Sequence, residues 1–582
     1  MTIPQARSPV GSVPGDVTRY LCAAAYVDER FARRVVADVL ADEGSAVAPS
    51  PAVDLVAVAR HCLAAQELRH RRDLRLAGAF GLVLLVAPLW LLGVALLLSM
   101  AVRGASSRPS LATRGRRPPG SGALLNAALT GAVAVLVALY VGVLLSALSL
   151  PGFVSWLLGA YLTGVPAVLV SVGAAVFAFV TVVRHDLDTD RLLRTGLTRE
   201  AFARLPLPPV PARRRAWIAE RLTVLKEAQE GNVTVYSGYT PFIGYAATAS
   251  KWSLAVPLLP AEDPVDRGAR PAEPVAFAVT ELVAAVRERL GEVAARGADA
   301  ASDTGAVTGT EHLGSLVLED RIFVNGTSLG DDDRFVRATT LAPAALLPAE
   351  AVREVVLNPT GTVRHCLAAH VPLWGGDVVP SVFLHFSTVG RTLHLHCDNH
   401  VLGPVAAAYH VVDRMHGSLS EDGLRGLRVT ALSGTAPALF RAPFRALGHA
   451  RFESWHSRRM VDELTAMEQD PLYDYGARVS IRELALSPDY HNYFQVVDAG
   501  RITAVVERHT LAAIREFLDA RGYDTTDFRS QQQTILNQGL IQQGGLSVIG
   551  NQAIGAGANA TQHVVQPSAG AGAAGAAGGS KS

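Results

Sequence analysis

The residues best suited to chemistry crowd into one stretch: His365, Cys366, His370, His385, His394, His396, Cys397, Asp398 and His400. Imidazole nitrogen and thiolate sulfur are ready zinc ligands, so zinc is the metal this set would hold. His394 and His396 stand two residues apart, which on a strand puts both on one face. The same region could supply an acid–base or nucleophilic site built on Cys397 and a nearby histidine such as His400. Neither a paired CxxC nor an HExxH motif accompanies them, and ordinary positions on a sheet face explain the pattern equally well. The catalytic candidates are thus His394, His396, Cys397 and His400, the metal candidates His394 and His396, and zinc the one cofactor in view.

Other clusters carry weaker chemistry. Asp331, Asp332 and Asp333 are adjacent carboxylates without calcium-loop spacing, which fits a solvated turn. Ser237 to Gly244 is a glycine-bearing turn without the lysine of a phosphate-binding loop. Arg441, Arg445, Arg451, His456, Arg458 and Arg459 could face an anionic surface such as lipid headgroups, tempered by Glu453, Asp462 and Glu463. Cys22, Cys62, Cys366 and Cys397 are too few and too scattered for a disulfide scaffold. The net charge of +1 gives no argument for nucleic acid.

The elements that must position these residues follow from periodicity. Val17–Leu40 and Val53–Arg69 read as helices, separated by a Gly, Ser and Pro segment. Val233–Tyr236, Leu316–Val324, Val352–Leu357, Val382–Phe386 and Thr392–Cys397 read as strands. Ala276–Arg296 and Ile502–Ala520 read as amphipathic helices, so 184–529 is expected to form a large soluble α+β (mixed α/β) domain. Residues 17–75 form a small N-terminal helical domain after a disordered 1–16.

Between them, 76–183 is expected to be a multi-pass α-helical membrane block. Leu76–Val102, Leu125–Leu150 and Val154–Val183 each exceed the roughly 20 residues that cross a bilayer. A loop at 103–121 carries Arg103, Arg108, Arg114, Arg116 and Arg117 and no acid, and these are the basic residues expected to face lipid. Basic flanks on both sides of the first run favour an even number among three or four crossings, with both soluble ends cytoplasmic at the cell membrane. No charged residue lies inside Leu125–Val183, which argues against a transport pathway.

The tail changes character. Ser530 to Ser580 contains no formally charged residue, and 530–566 is rich in Gln, Asn and Gly, with 567–582 a flexible end. Amide ladders flanked by branched residues can stack in register between chains, and Val548, Ile549, Asn551, Gln552 and Ile554 are the assembly residues. This tail resembles the short amyloid-forming signalling motifs at the termini of bacterial and fungal immune or cell-death proteins, and more loosely their animal necroptosis counterparts. That resemblance implies a partner bearing a similar terminal motif, or a homo-oligomer. Separately, Gly231–Gly244 and Thr392–His400, within the three-part architecture, resemble an uncharacterised family of actinobacterial integral membrane proteins over most of Val17–Asp527. That resemblance implies no activity, cofactor or catalytic residue.

The functional expectation is a membrane-anchored scaffold or signalling protein with a self-assembly tail. Its partners would be the lipid bilayer and like-tailed chains, with no nucleic acid. The alternatives are a membrane-anchored metal-dependent or Cys/His hydrolase, and a transport or pore accessory.

Overall fold

The computed structural model describes residues 15–88, 91, 140, 151–158, 165–211, 215–261, 274–304, 313–329, 332–335, 341–415 and 417–538. In chain order the main helices begin with α1 (Asp16–Val27), α2 (Glu29–Arg34), α3 (Leu55–Val86), α4 (Val165–Arg191) and α5 (Arg215–Glu230). Strands β1 (Val233–Tyr236) and β2 (Thr248–Pro257) follow, then α6 (Val279–Thr304), β3 (Val317–Asn325) and α7 (Ala349–Leu357). The chain continues through β4 (Val363–His370), β5 (Val379–Val389), β6 (Thr392–Leu402), α8 (Glu421–Gln469), α9 (Tyr493–Ala520) and α10 (Thr526–Gln538).

The six strands form one mixed sheet in the order β1-β3-β4-β5-β6-β2. Only β1 and β3 run parallel; the other pairs are antiparallel. Alternation sends Leu367, Leu384, Leu395 and Cys397 to one face, where α6, α9 and α10 cover them through Leu282, Val286, Ile514, Leu518 and Phe528. Burial of such side chains contributes on the order of 1.5–3 kcal/mol each. The opposite face carries Phe323, Cys366, Ala368 and Phe383 against Tyr245. Beside it, the N-terminal helices share a core with Val379, Leu402 and Val405.

α3 is a single helix of 32 residues, about 48 Å long. Asp54 caps its start by accepting from the Ala57 amide. Its first half buries Leu55, Val58, Cys62 and Leu63 in the N-terminal core. Its second half packs Leu76, Ala79 and Val83 against α4 and α8, with Phe80 edge-on to Phe440.

This stem overturns the multi-pass membrane block. Among the described residues one helix, Ala167–Gly196, is long and apolar enough to cross a membrane. The first apolar run is no separate span: Leu76 continues a helix that starts at Leu55. Part of the apolar content serves helix-on-helix contact, since Ala167, Ala174 and Ala178 and the α8 residues Ala431, Leu439 and Ala442 interlock there. Small side chains at such a seam raise hydropathy just as lipid-facing ones do, so composition could not separate the two uses. The span expected at Leu125–Leu150 and the Arg-rich loop with Arg103, Arg108, Arg114, Arg116 and Arg117 lie outside the described residues, Tyr140 apart.

Three boundaries also change. Val352–Leu357 is helix rather than strand, because Val352, Val355 and Val356 recur at helical spacing behind Pro348. Asp16, expected in the disordered start, opens α1. The first residues of the expected assembly segment belong to α10, which buries Phe528 and Ile535 against the sheet side. Val548, Ile549, Asn551, Gln552 and Ile554 lie outside the described residues.

Candidate functional site

Strand β6 separates the residues expected to act together. His394, His396 and His400 point to one face, whereas Cys397 points to the other and is wholly buried in the core under α9. Its thiol is pushed far up by burial, with Glu507 and Asp398 adding to the effect. A protonated buried thiol is not a nucleophile. His394 is exposed, and His396 pairs through Nε2 with Asp398 at 2.8 Å. His400 is buried, with Nδ1 3.0 Å from the Ala246 carbonyl oxygen. No third ligand joins His394 and His396 among the described residues.

The rest of the histidine-rich stretch is bound into the sheet. His370 bridges Ser381 Oγ at 2.8 Å and Glu319 Oε1 at 3.1 Å. This Ser–His–Glu order is that of a nucleophile relay, yet His370 and Ser381 are each 1% exposed, which shuts substrate out. Arg321 pairs with Glu319. Burial works against the Glu319 carboxylate, but Arg321 and His370 outweigh it and hold its pKa at about 2. Beside this network lies a cavity of about 20 Å³ lined by Ser50, Gln229, Tyr245, Glu319, Arg321 and His370. That is room for one water, and Arg321 Nη1 has no protein partner. His365 contacts Asp320 Oδ1 at 2.8 Å, and His385 Nδ1 lies 2.7 Å from the His365 carbonyl oxygen.

The arginine-rich group divides along α8. Arg445 reaches Glu29, Arg459 reaches Glu463 and His456 reaches Glu43. Arg441, Arg451 and Arg458 remain on the exposed side. Asp332 is engaged by Arg334.

A different set converges where α1, the end of β6 and the start of α9 meet. Trp374-Gly375-Gly376 forms a left-handed turn, with φ of 70° and 88° at the two glycines. A Cβ on Gly376 would lie 2.9 Å from Val17 Cγ1, so glycine is required both for conformation and for the approach of α1. The turn delivers Asp377, buried, whose Oδ1 accepts the Val405 amide at 2.9 Å. His410 comes from a short 3-10 helix, Tyr409–Asp413, and stacks on Tyr20 of α1 at 4.2 Å between centroids. His491 precedes the capping box of α9, its amide donating to Gln495 Oε1 at 3.0 Å. The ligand atoms of Asp377, His410 and His491 all lie within 4.8 Å of one another.

Electrostatics keep this carboxylate charged. Burial would raise the Asp377 pKa, but neighbouring His410, the Val405 amide and Arg482 together bring it below the ordinary value. Arg482 is fully buried and donates to the Asp377 and Gly403 carbonyls at 2.7 Å each; burial lowers its own pKa to about 10. Two imidazoles and one carboxylate can hold a divalent first-row ion or relay a proton. Sequence reading missed this trio because its members are far apart in the chain. The one local signal is Gly375-Gly376 before Asp377, which marks a turn and not a ligand.

The family model of the AbeC-like domain matches residues 251–551. It covers Asp377, His410 and His491, helices α6 to α10, and the amide-rich tail as far as Asn551. No curated protein and no solved structure matches the chain.

Proposed function

The chain belongs to the family defined by the AbeC-like domain, and from that premise we propose that it is a membrane-anchored scaffold or signalling protein. The stem of α3, α4 and α8 holds the sheet domain at a bilayer, and the amide-rich tail makes contacts with other chains of its kind. The observation that carries the reading is the outward surface of the stem. In the most apolar window of Ala167–Gly196, mean hydropathy is 2.2 and only 28% is buried. Leu169, Val172, Val176 and Phe177 are exposed there, as are Leu82 and Leu85 on α3. An apolar patch of this extent in water is unfavourable unless something covers it, and lipid does so without a partner protein. α3 runs unbroken from this surface into the N-terminal core, which is shared with Val379, Leu402 and Val405 of the sheet domain. The family match reaching 551 supports the tail as part of the working domain.

Flotation of the full-length chain with phosphatidylcholine vesicles tests the anchor. The parent chain rises with the vesicles, and a Leu85→Asp, Leu169→Asp, Val176→Asp variant stays behind. A parent chain that remains in the aqueous fraction without detergent contradicts the reading. For the tail, Ile549→Lys abolishes self-association of the membrane-bound chain while leaving flotation intact; unchanged association removes the assembly role.

A further inference from the structure

We propose that Asp377, His410 and His491 form a divalent-metal site, best suited to zinc, that fastens the N-terminal helix α1 and the start of α9 to the end of the sheet where β5 begins and β6 finishes. The site is independent of the membrane anchor. His410 Nε2 is buried without a hydrogen-bond partner. Its nearest acid oxygen, Asp377 Oδ2, is 3.5 Å away, too far for a good hydrogen bond. Two ligands of one tetrahedral zinc, with bonds of about 2.0–2.1 Å, stand roughly 3.3–3.4 Å apart. The Asp377–His410 separation is close to that of co-ligands, and the ligand atom of His491 lies within 4.8 Å of both.

Each ligand is held by a different device, so the site is ordered in advance. Asp377 is fixed by the Val405 amide at 2.9 Å and by Arg482 on its own carbonyl at 2.7 Å. The His410 ring lies flat against Tyr20 and edge-on to His491, with centroids 5.1 Å apart in the latter pair. His491 is tied to the capping box of α9. Ligands whose orientation is already fixed lose little entropy on binding. Other acids nearby are committed: Asp413 accepts from Arg19 and from Tyr20 Oη at 2.6 Å.

Composition selects the ion. Two nitrogens and one oxygen suit zinc and its first-row neighbours, whereas calcium and magnesium take oxygen shells. The Arg482 cation weakens affinity without blocking the site, because its contacts are to backbone carbonyls. His491 is exposed, so the fourth position opens to solvent and takes water. Through the Tyr20–His410 stack, occupancy also stiffens α1 against the sheet domain.

The test is a titration of the detergent-solubilised full-length chain, stripped with chelator, with zinc ion alone, read by calorimetry and by metal analysis after desalting. One zinc per chain is expected. His491→Ala, at an exposed position that leaves the fold intact by circular dichroism, should weaken binding by more than about 100-fold, the upper end of what loss of an outer-shell partner costs. Asp377→Asn should do likewise, and His394→Ala should change nothing. Absence of stoichiometric zinc in the folded parent overturns the proposal, as does a stoichiometric zinc that survives His491→Ala. Flotation with vesicles is unaffected by either result, so failure of this site and failure of the anchor are separable.

Discussion

Two sets of histidines make opposite use of the chain. On β6, His394, His396 and His400 are neighbours in sequence and share a face, yet the rise along the strand and separate partners disperse them: one exposed, one paired with Asp398, one buried beside Ala246. At the other end of the sheet, Asp377, His410 and His491 come from a turn, a 3-10 helix and a helix start, and their ligand atoms converge. Density along a chain measures composition; convergence depends on which turns bring segments back to one point. The difference also separates two energetic roles. Histidines inside the sheet, such as His370, hold a buried ion pair in place, whereas the β6 pair at the surface is solvated.

Removing one member of the buried network should have the largest effect on this contrast. Arg321→Met leaves Glu319 buried without its cation and should cost about 3–5 kcal/mol, read as a shift in the urea midpoint. Loss below about 1 kcal/mol would mean that water already screens the pair. The same network sets an acid limit. The Glu319 pKa is about 2 in the folded chain against an ordinary 4.5. The carboxylate therefore contributes stability that is present above pH 4.5 and lost as pH falls toward 2. A Glu319→Gln chain should show less acid sensitivity in that window; an identical pH profile would contradict the assignment.

Smaller effects lie toward β6. Cys397→Ser puts a hydroxyl into an apolar core and should cost about 1–3 kcal/mol, and iodoacetamide should leave Cys397 unlabelled in the native chain. Labelling within minutes in folded protein would restore the nucleophile. His396→Ala removes only a partly solvated pair with Asp398 and should change stability by less than about 0.5 kcal/mol. A larger loss would place His396 in the structural network with His370.

Much of the sheet domain was legible because its periodicities are clean. Val233–Tyr236, Leu316–Val324, Val382–Phe386 and Thr392–Cys397 fall on β1, β3, β5 and β6, and Ala276–Arg296 falls on α6. Valine content misled at Val352–Leu357, where spacing and Pro348 outweigh β-branching. α8 escaped notice for a different reason. Its 49 residues include Pro437 and Pro443, and it meets α3, α4 and the N-terminal core at different levels, so no single apolar stripe runs its length. The stem was mistaken for separate spans because alanine at a helix seam and leucine toward lipid look alike in composition. The Asp377 site had no motif at all: its geometry depends on Gly376 yielding to Val17 and on Tyr20 stacking with His410, contacts that exist only after folding.

The most direct test of the contrast between sequence density and spatial convergence substitutes cobalt(II) for zinc, because its visible absorption reports the number and kind of its ligands. The full-length chain, the His394→Ala, His396→Ala double variant and the His491→Ala variant are compared at equal cobalt. One low-coordinate cobalt spectrum is expected, identical in the parent and the double variant and absent after His491→Ala. A spectrum that disappears with the β6 histidines and persists without His491 would contradict it.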